Sequence, residues 1–170
     1  MLTIRKTISA DIPSLMEIFD EARETIAKLG IDQWQNGYPS REIIENDVND
    51  GISYAAELDG ALLGTFVMLT DGEPTYDKIY EGKWLTGSSS DYVAIHRVAI
   101  RLSARGSGLS GKIIEYAEDF AKSVNRRSLR IDTHEGNLVM RRMLEKNGFT
   151  HTGTIYLTSN EKRVAYEKII

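Results

Sequence analysis

A glycine-rich turn is the segment of this sequence with the clearest chemical potential. Residues 105–111 read Arg-Gly-Ser-Gly-Leu-Ser-Gly, after an apolar run at 98–100 and before an amphipathic stretch. Glycines at a helix start keep side chains away from backbone N–H groups that have no partner within the helix, and the helix dipole adds positive potential there. The pattern therefore favours phosphate binding over a turn that only needs glycine's backbone freedom.

Two nucleotide-binding patterns fit the same turn less well. Its three glycines match the dinucleotide pattern G-x-G-x-x-G, and Asp132 lies near the end of the next predicted strand, where a ribose-binding acid would lie. Five residues separate the strand from the first glycine, however, and the chain after Asp132 lacks the further strand–helix units of a second nucleotide half. A triphosphate loop would need Ser or Thr after Lys112, where the chain has Ile113. An NAD- or NADP-binding domain stays as a rival interpretation.

Residues on both sides of the turn resemble the GNAT superfamily of N-acetyltransferases. Residues 105–110 are similar to that family's Q/R-x-x-G-x-G/A motif, which binds the pyrophosphate of acetyl-CoA. Residues 95–100 look like its fourth strand, and residues 137–149, which run from Asn to Gly-Phe, resemble a later helix of the family. The order and spacing of these pieces agree over nearly the whole chain.

The resemblance implies one GNAT domain over residues 1–170 and an α+β (mixed α/β) fold. Its central, mostly antiparallel twisted sheet would have six to seven strands, with splayed central strands and about four flanking helices. Apolar periodicity and turn residues independently predict strands over 2–6, 52–58, 61–70, 92–100, 129–132, 149–157 and 163–169. Helices are expected from Ser9 or Asp11 up to Gly30, from residues 39–40 up to Gly51, over 109–124 and over 137–147. Residues 71–90 are predicted to form a long exposed loop with a helical turn at 76–80.

Acetyl-CoA would then be the acetyl-donating cosubstrate. By resemblance, the turn would hold the pyrophosphate, the fourth strand would pair with the pantetheine arm, and a strand N–H would stabilise the oxyanion at the thioester. Asn137 would contact the arm, although an asparagine there also serves as a plain helix N-cap. The candidate cofactor-binding residues are Val98, Ala99, Ile100, Arg105, Gly106, Ser107, Gly108, Leu109, Ser110, Gly111 and Asn137.

Two positions depart from the family pattern. Ser110 stands where the family prefers Gly or Ala, which leaves the backbone donor in place. Leu144 stands where many members carry a tyrosine that protonates the leaving thiolate, and leucine cannot do this. Tyr156, Tyr166 or water could supply the proton, or the thiolate could leave unassisted because a thiol is acidic enough near neutral pH. Leu144 also motivates an alternative function, a non-catalytic acyl-CoA-binding regulatory protein with the same fold.

Several side chains could act on an amine acceptor, which must lose a proton before it attacks. Strand alternation places His96 on the same face as Val98, and an imidazole can accept a proton near neutral pH. Residues just past the fifth strand are comparable candidates, and each also has an ordinary packing or loop role as an alternative. The candidate catalytic residues are His96, Asp132, His134 and Tyr156. By family analogy, Trp34 and Tyr38 would line the acceptor pocket, although both could be core aromatics.

The overall composition argues against several classes of function. The net charge of −4 argues against nucleic acid as a partner, and the absence of cysteine excludes thiol nucleophiles and disulfides. Three histidines without ligand spacing predict no metal, and no apolar stretch reaches membrane length, so a cytoplasmic protein is expected. The arginines at 126, 127 and 130 could attract an anion, but we interpret them as a solvated surface. The sequence predicts direct acetyl transfer to a primary amine of a small molecule or peptide by a monomer or homodimer.

Overall fold

The computed structural model describes residues 1–170 as a seven-stranded sheet accompanied by four α-helices. The strand order is β1-β2-β3-β4-β5-β7-β6, and β4 pairs with β5 in parallel whereas the β1/β2, β2/β3, β5/β7 and β6/β7 pairs are antiparallel. The elements are β1 (Leu2–Lys6), α1 (Ile12–Ala27), α2 (Arg41–Asn49), β2 (Ser53–Leu58), β3 (Ala61–Leu69), β4 (Tyr92–Ile100), α3 (Leu109–Ser123), β5 (Ser128–Thr133), α4 (Leu138–Lys146), β6 (Thr150–Tyr156) and β7 (Lys162–Ile169). The predicted fold class is confirmed.

Short sequence signals explain where several elements begin and turn. Ser40 caps α2, since its side chain accepts a hydrogen bond from the backbone N–H of Ile43 at 3.3 Å. The β2–β3 hairpin turns at Asp59 and Gly60, whose φ angles of 50° and 84° are the left-handed values that a tight hairpin needs. These signals are local, which is why the sequence alone predicts both features.

The chain folds into two compact units, residues 1–68 with 97–113 and residues 69–96 with 114–170. The first, which we call the turn unit, packs α1 and α2 around a core that includes Leu15, Ile18 and Ala99. The second, the loop unit, has a core of residues from the β3–β4 loop and from strands of the sheet: Tyr76, Trp84, Tyr92, Ala94, Ile155 and Ala165. The boundary falls inside β4, so this strand contributes residues to both units.

The pairing of β4 with β5 is short. It runs from Tyr92↔Ser128 to Ala94↔Arg130, whereas β5 stays paired with β7 along its whole length. The rest of β4 therefore lies beyond its pairing with β5.

One prediction about the loop unit holds in part and another is wrong. Most residues of the loop at 71–90 are exposed, but the side chains of Tyr76 and Trp84 are buried, and the helical turn is Pro74–Tyr76 rather than 76–80. Arg130 is not solvated but 2% exposed, and its guanidinium lies 4.3 Å from the Trp84 ring centroid and 4.1 Å from that of Tyr92. Cation–π contact and an ion pair replace the lost hydration. None of the helices has the length and apolar composition needed to cross a bilayer.

Candidate active site

The glycine turn lies at the start of α3, as the sequence predicts. After β4 the chain forms a single 3-10 turn at Leu102–Ala104, and residues 105–108 are exposed before α3 begins. Gly106 and Gly108 have φ angles of 76° and 82°. A Cβ atom at either position would meet nothing within 4 Å, so packing does not require glycine there. Open space above a left-handed backbone is what a bound anionic group would need.

Several backbone donors of this turn have no protein acceptor. Ser107 N donates to Ala104 O at 3.3 Å, and Leu109 N donates to the Ser107 hydroxyl oxygen at 3.3 Å. The N–H groups without an acceptor in the chain belong to Gly106, Gly108, Ser110 and Gly111. Together with the N-terminal end of the α3 dipole, these donors could hold an anionic group.

A backbone irregularity lies in the middle of β4. Arg97 has a φ angle of 51°, which interrupts the alternation of side chains along the strand. The rule that placed His96 and Val98 on one face therefore does not hold across this residue. The Arg97 guanidinium donates twice to Asp47 of α2, from Nε at 2.7 Å and from Nη2 at 2.9 Å. Such a bidentate pair holds this irregular residue in one orientation.

The two predicted acceptor-pocket aromatics differ in their surroundings. The Tyr38 hydroxyl accepts a hydrogen bond from Arg97 Nη1 at 2.6 Å, which connects Tyr38 to β4 beside Val98. Trp34 packs edge-on against Phe19, with ring centroids 5.8 Å apart, on the hydrophobic core of the turn unit. Tyr38 is thus connected to the candidate cofactor strand, and Trp34 also contacts Tyr38, with ring centroids 6.2 Å apart.

Four polar or aromatic side chains of the loop unit form a connected group, which we call the His96 cluster: Glu73, Tyr76, His96 and Asp132. His96 Nε2 lies 3.0 Å from Glu73 Oε2. The Tyr76 ring stacks on the His96 ring with centroids 5.8 Å apart and an interplanar angle of 27°. The Tyr76 hydroxyl donates to Asp132 Oδ2 at 2.7 Å. The structure thereby brings together two predicted catalytic residues, His96 and Asp132, through a tyrosine of the loop.

The environment fixes the protonation states of two cluster members. Burial alone would raise the pKa of Glu73, but the interaction with His96 and hydrogen bonds from Thr75 outweigh it and lower the pKa to about 2. Burial, and then the adjacent Asp132 charge, raises the pKa of Tyr76 well above its ordinary value. Glu73 is therefore a carboxylate and Tyr76 a neutral phenol at neutral pH.

Replacing Tyr76 with phenylalanine should lower the free energy of unfolding by about 2 kcal/mol at pH 7, because a hydrogen bond to a carboxylate is lost while the ring remains. Chemical denaturation would measure this. Tyr80→Phe is the matched control, since Tyr80 lies in the same loop and its hydroxyl makes no hydrogen bond in the chain. Equal losses for the two variants would show that the Asp132 contact contributes nothing.

The difference in unfolding free energy between the unsubstituted protein and Tyr76→Phe should shrink at high pH. A phenol whose pKa is raised by folding contributes stability fully below the unfolded value of about 10, and loses it as pH rises further. The unfolding free energy of the unsubstituted protein should therefore fall more steeply above pH 10 than that of Tyr76→Phe.

The other predicted residues have local partners outside the His96 cluster. His134 Nδ1 accepts from Gly136 N at 3.0 Å, which is a loop contact. The Asn137 side chain accepts from Met140 N at 3.2 Å, so its role as the N-cap of α4 is present. Tyr156 is partly exposed and lies edge-on to Tyr80, with ring centroids 5.2 Å apart.

Leu144 and Tyr166, the two remaining positions that the family resemblance singled out, are buried. Leu144 is fully buried, as expected of a leucine on the inner face of α4. The Tyr166 hydroxyl accepts from Arg141 Nε at 2.9 Å and donates to Glu145 Oε1 at 3.2 Å. Tyr166 is thus already engaged on both sides by side chains of α4.

Sequence reasoning missed Glu73 and Tyr76. Both lie in the loop at 71–90, where no periodicity relates residues to a strand or helix. The available signal was compositional, because aromatic residues such as Tyr76 and Trp84 rarely remain exposed in a long loop.

Comparison with known proteins identifies the family. The model of the acetyltransferase (GNAT) family matches residues 12–149. The chain belongs to the GNAT acetyltransferase family. A GNAT-family acetyltransferase from Streptococcus agalactiae is 36% identical, with 99% of this chain and 95% of that chain covered and a TM-score of 0.89. No curated protein matches the sequence.

More distant GNAT structures share the fold. The PaiA N-acetyltransferase of Thermoplasma acidophilum in complex with coenzyme A is 18% identical, covers 100% of this chain and 99% of its own, and has a TM-score of 0.74. AAC(6′)-Ib in complex with ribostamycin and coenzyme A is 19% identical, with 99% and 93% covered and a TM-score of 0.69. Acetyl-CoA-dependent acetyl transfer to an amine is the general reaction of this family.

Proposed function

We propose that this GNAT protein transfers the acetyl group of acetyl-CoA directly to a primary amine of a small molecule or peptide. The observation that carries the proposal is the exposed glycine turn, whose N–H groups at the start of α3 lack protein acceptors. Acetyl-CoA carries a pyrophosphate, and such donors suit its negative charge.

The turn unit contains residues that fit this cosubstrate. The turn residues Arg105, Gly106, Ser107, Gly108, Leu109, Ser110 and Gly111 would hold the pyrophosphate. The exposed cation of Arg105 adds to the backbone donors. The strand residues Val98, Ala99 and Ile100 follow the irregularity at Arg97 and would bind the extended arm through their backbone groups. In the loop unit, Asn137 would contact the arm while continuing to cap α4.

The His96 cluster would prepare the acceptor. His96 lies two residues before Val98 in the same strand, and its imidazole would take a proton from the acceptor ammonium group. The amine nitrogen attacks the thioester carbonyl carbon of acetyl-CoA, so that the new C–N bond forms before the C–S bond breaks and CoA leaves as its thiolate. The amide nitrogen then loses its second proton to solvent. Asp132, held by Tyr76, would favour a cationic acceptor through its charge, and the net charge of −4 acts in the same direction.

No dedicated acid is needed for the leaving thiolate. Leu144 occupies the position of the family's tyrosine, and a thiol is acidic enough to leave as its anion near neutral pH. Tyr156 and His134 stay candidate proton-transfer groups, although neither belongs to the His96 cluster.

A thermal-shift titration with acetyl-CoA, CoA, NAD, NADP and ATP, followed by an amine panel with detection of free CoA thiol, tests this function. Stabilisation by acetyl-CoA and CoA alone, with turnover of at least one amine, is the expected result. CoA-dependent stabilisation without turnover of any amine would favour the non-catalytic regulator. A response to NAD or NADP alone would favour a dinucleotide site.

Two variants test the role of His96 in the proposed reaction. His96→Asn should lower kcat by about 100-fold or more while leaving CoA binding unchanged. His151→Asn is the control, because His151 is an exposed histidine whose Nε2 contacts only Gly153 O, at 3.0 Å. Equal kcat values for the two variants would remove His96 from the proposal.

A further inference from the structure

We infer that Glu73 is a positioning residue for His96, holding the imidazole through Nε2 so that Nδ1 is the atom that accepts the proton of the acceptor amine. This inference rests on the proposed function, because it assumes that His96 is the base. It concerns a residue of the β3–β4 loop that no sequence pattern indicates.

The two ring nitrogens of His96 have different surroundings. Nε2 is buried and lies 3.0 Å from Glu73 Oε2, although this contact does not meet hydrogen-bond geometry. Nδ1 has no hydrogen-bond partner in the chain and is not among the buried unpartnered atoms, so it reaches solvent. Only Nδ1 is therefore open to an incoming amine.

Hydrogen bonds to residues other than His96 hold Glu73 in place. Its Oε1 accepts hydrogen bonds from Thr75 N at 3.1 Å and from Thr75 Oγ1 at 2.9 Å, which leaves Oε2 to face the imidazole. Its backbone N–H donates to the Tyr92 hydroxyl at 2.8 Å. A carboxylate held at both its side chain and its backbone can orient a partner ring without moving.

Tyr76 restrains the ring from a second direction. It stacks on His96, and its hydroxyl is held by Asp132. The titratable groups around the imidazole are thus Glu73 in direct contact, Tyr76 across the ring face, and Asp132 behind the Tyr76 hydroxyl. Arg97, the next residue in β4, directs its charge to Asp47. A negative charge is the nearest neighbour of the ring.

This arrangement suits a base that becomes a cation during the reaction. The proton moves from the acceptor ammonium group to His96 Nδ1 and later to solvent, while Glu73 keeps its charge and takes no proton. In the neutral ring the remaining proton resides on Nε2, facing the carboxylate. The Glu73 carboxylate, 3.0 Å from Nε2, attracts the positive charge that the ring gains in this step.

Glu73→Gln tests the inference, with Glu81→Gln as the matched control. Glu81 lies in the same loop and accepts a hydrogen bond from Thr154 Oγ1 at 2.8 Å, but it does not contact His96. Steady-state kinetics with acetyl-CoA and the best amine would be measured from pH 5.5 to 9. Glu73→Gln should lower kcat about 10- to 100-fold with little change in KM. Glu81→Gln should match the unsubstituted protein.

A second readout does not depend on turnover. Nitrogen-15 NMR of the imidazoles, with the His96 signals assigned by comparison with His96→Asn, reports which ring nitrogen carries the proton. The Nε2–H tautomer is expected in the unsubstituted protein, with loss of that preference in Glu73→Gln. A dominant Nδ1–H tautomer, or identical spectra and kcat values for the two proteins, would overturn the inference. Should no amine be acetylated, the proposed function fails and the NMR result alone decides whether Glu73 orients the ring.

Discussion

Replacing Gly108 with tryptophan is expected to abolish the thermal stabilisation that acetyl-CoA gives this protein, and acetyl transfer with it. Gly108 has a φ of 82° and open space above it, at the start of α3. An indole placed there would occupy the space above the backbone donors of Gly106, Ser110 and Gly111. Since a ligand at a hundred times its Kd stabilises the native state by about 2.7 kcal/mol, the loss is easily measured by thermal shift.

The control for this substitution is Gly60→Trp in the β2–β3 hairpin. Gly60 has a φ of 84°, and a Cβ atom there also meets nothing within 4 Å. The two variants therefore share a backbone cost of about 1–2 kcal/mol from the left-handed conformation. Only Gly108→Trp should lose the response to acetyl-CoA. A normal response in Gly108→Trp would mean that the turn is only a structural connection and would remove the main support for the proposed function.

Arg130→Met is expected to produce the largest loss of stability, about 3–5 kcal/mol, because it leaves a buried carboxylate without its cation. Arg130 and Glu167 are 2% and 0% exposed. Arg130 Nε donates to Glu167 Oε1 at 3.0 Å, and the same oxygen accepts from the hydroxyls of Ser128 at 2.6 Å and Thr86 at 2.5 Å. Burial raises the pKa of Glu167, but these donors together lower it, so the carboxylate stays charged in the fold.

Thermal unfolding would measure this loss as a fall in Tm of about 10 °C. Arg41→Met is the control, since Arg41 forms an exposed ion pair with Glu45 of α2 and its loss should cost less than about 1 kcal/mol. Similar Tm values for the two variants would contradict a stabilising role for the buried pair.

The buried pair also anchors the loop that carries Glu73 and Tyr76. Arg130 Nη2 donates to Gly87 O at 2.7 Å and to Thr86 Oγ1 at 3.0 Å. Residues 86–87 of the loop are therefore hydrogen-bonded to side chains of β5 and β7. These residues follow Glu73 and Tyr76, which the loop contributes to the His96 cluster. Charged groups at the centre of this unit thus hold a loop whose own regular structure is one short helical turn and an isolated bridge from Tyr80 to Thr154.

Some of these features could be predicted because their causes are local. The hairpin at Asp59 and Gly60, the cap at Ser40 and the start of α4 at Asn137 each depend on a few neighbouring residues. The fold class also follows from the family resemblance that short motifs carry. Contacts such as Tyr76 to Asp132, 56 residues apart, have no such local cause.

The sequence by itself determined the elements, the fold class and the glycine turn of α3, since each depends on residue types at short spacing. Only the tertiary structure decided that the loop at 71–90 is anchored, that Arg130 is buried, and that His96 faces Glu73. It also showed that Arg97 interrupts the alternation of β4. The physical reason is that charge pairing, burial and strand irregularity depend on residues distant in the chain, which periodicity does not record.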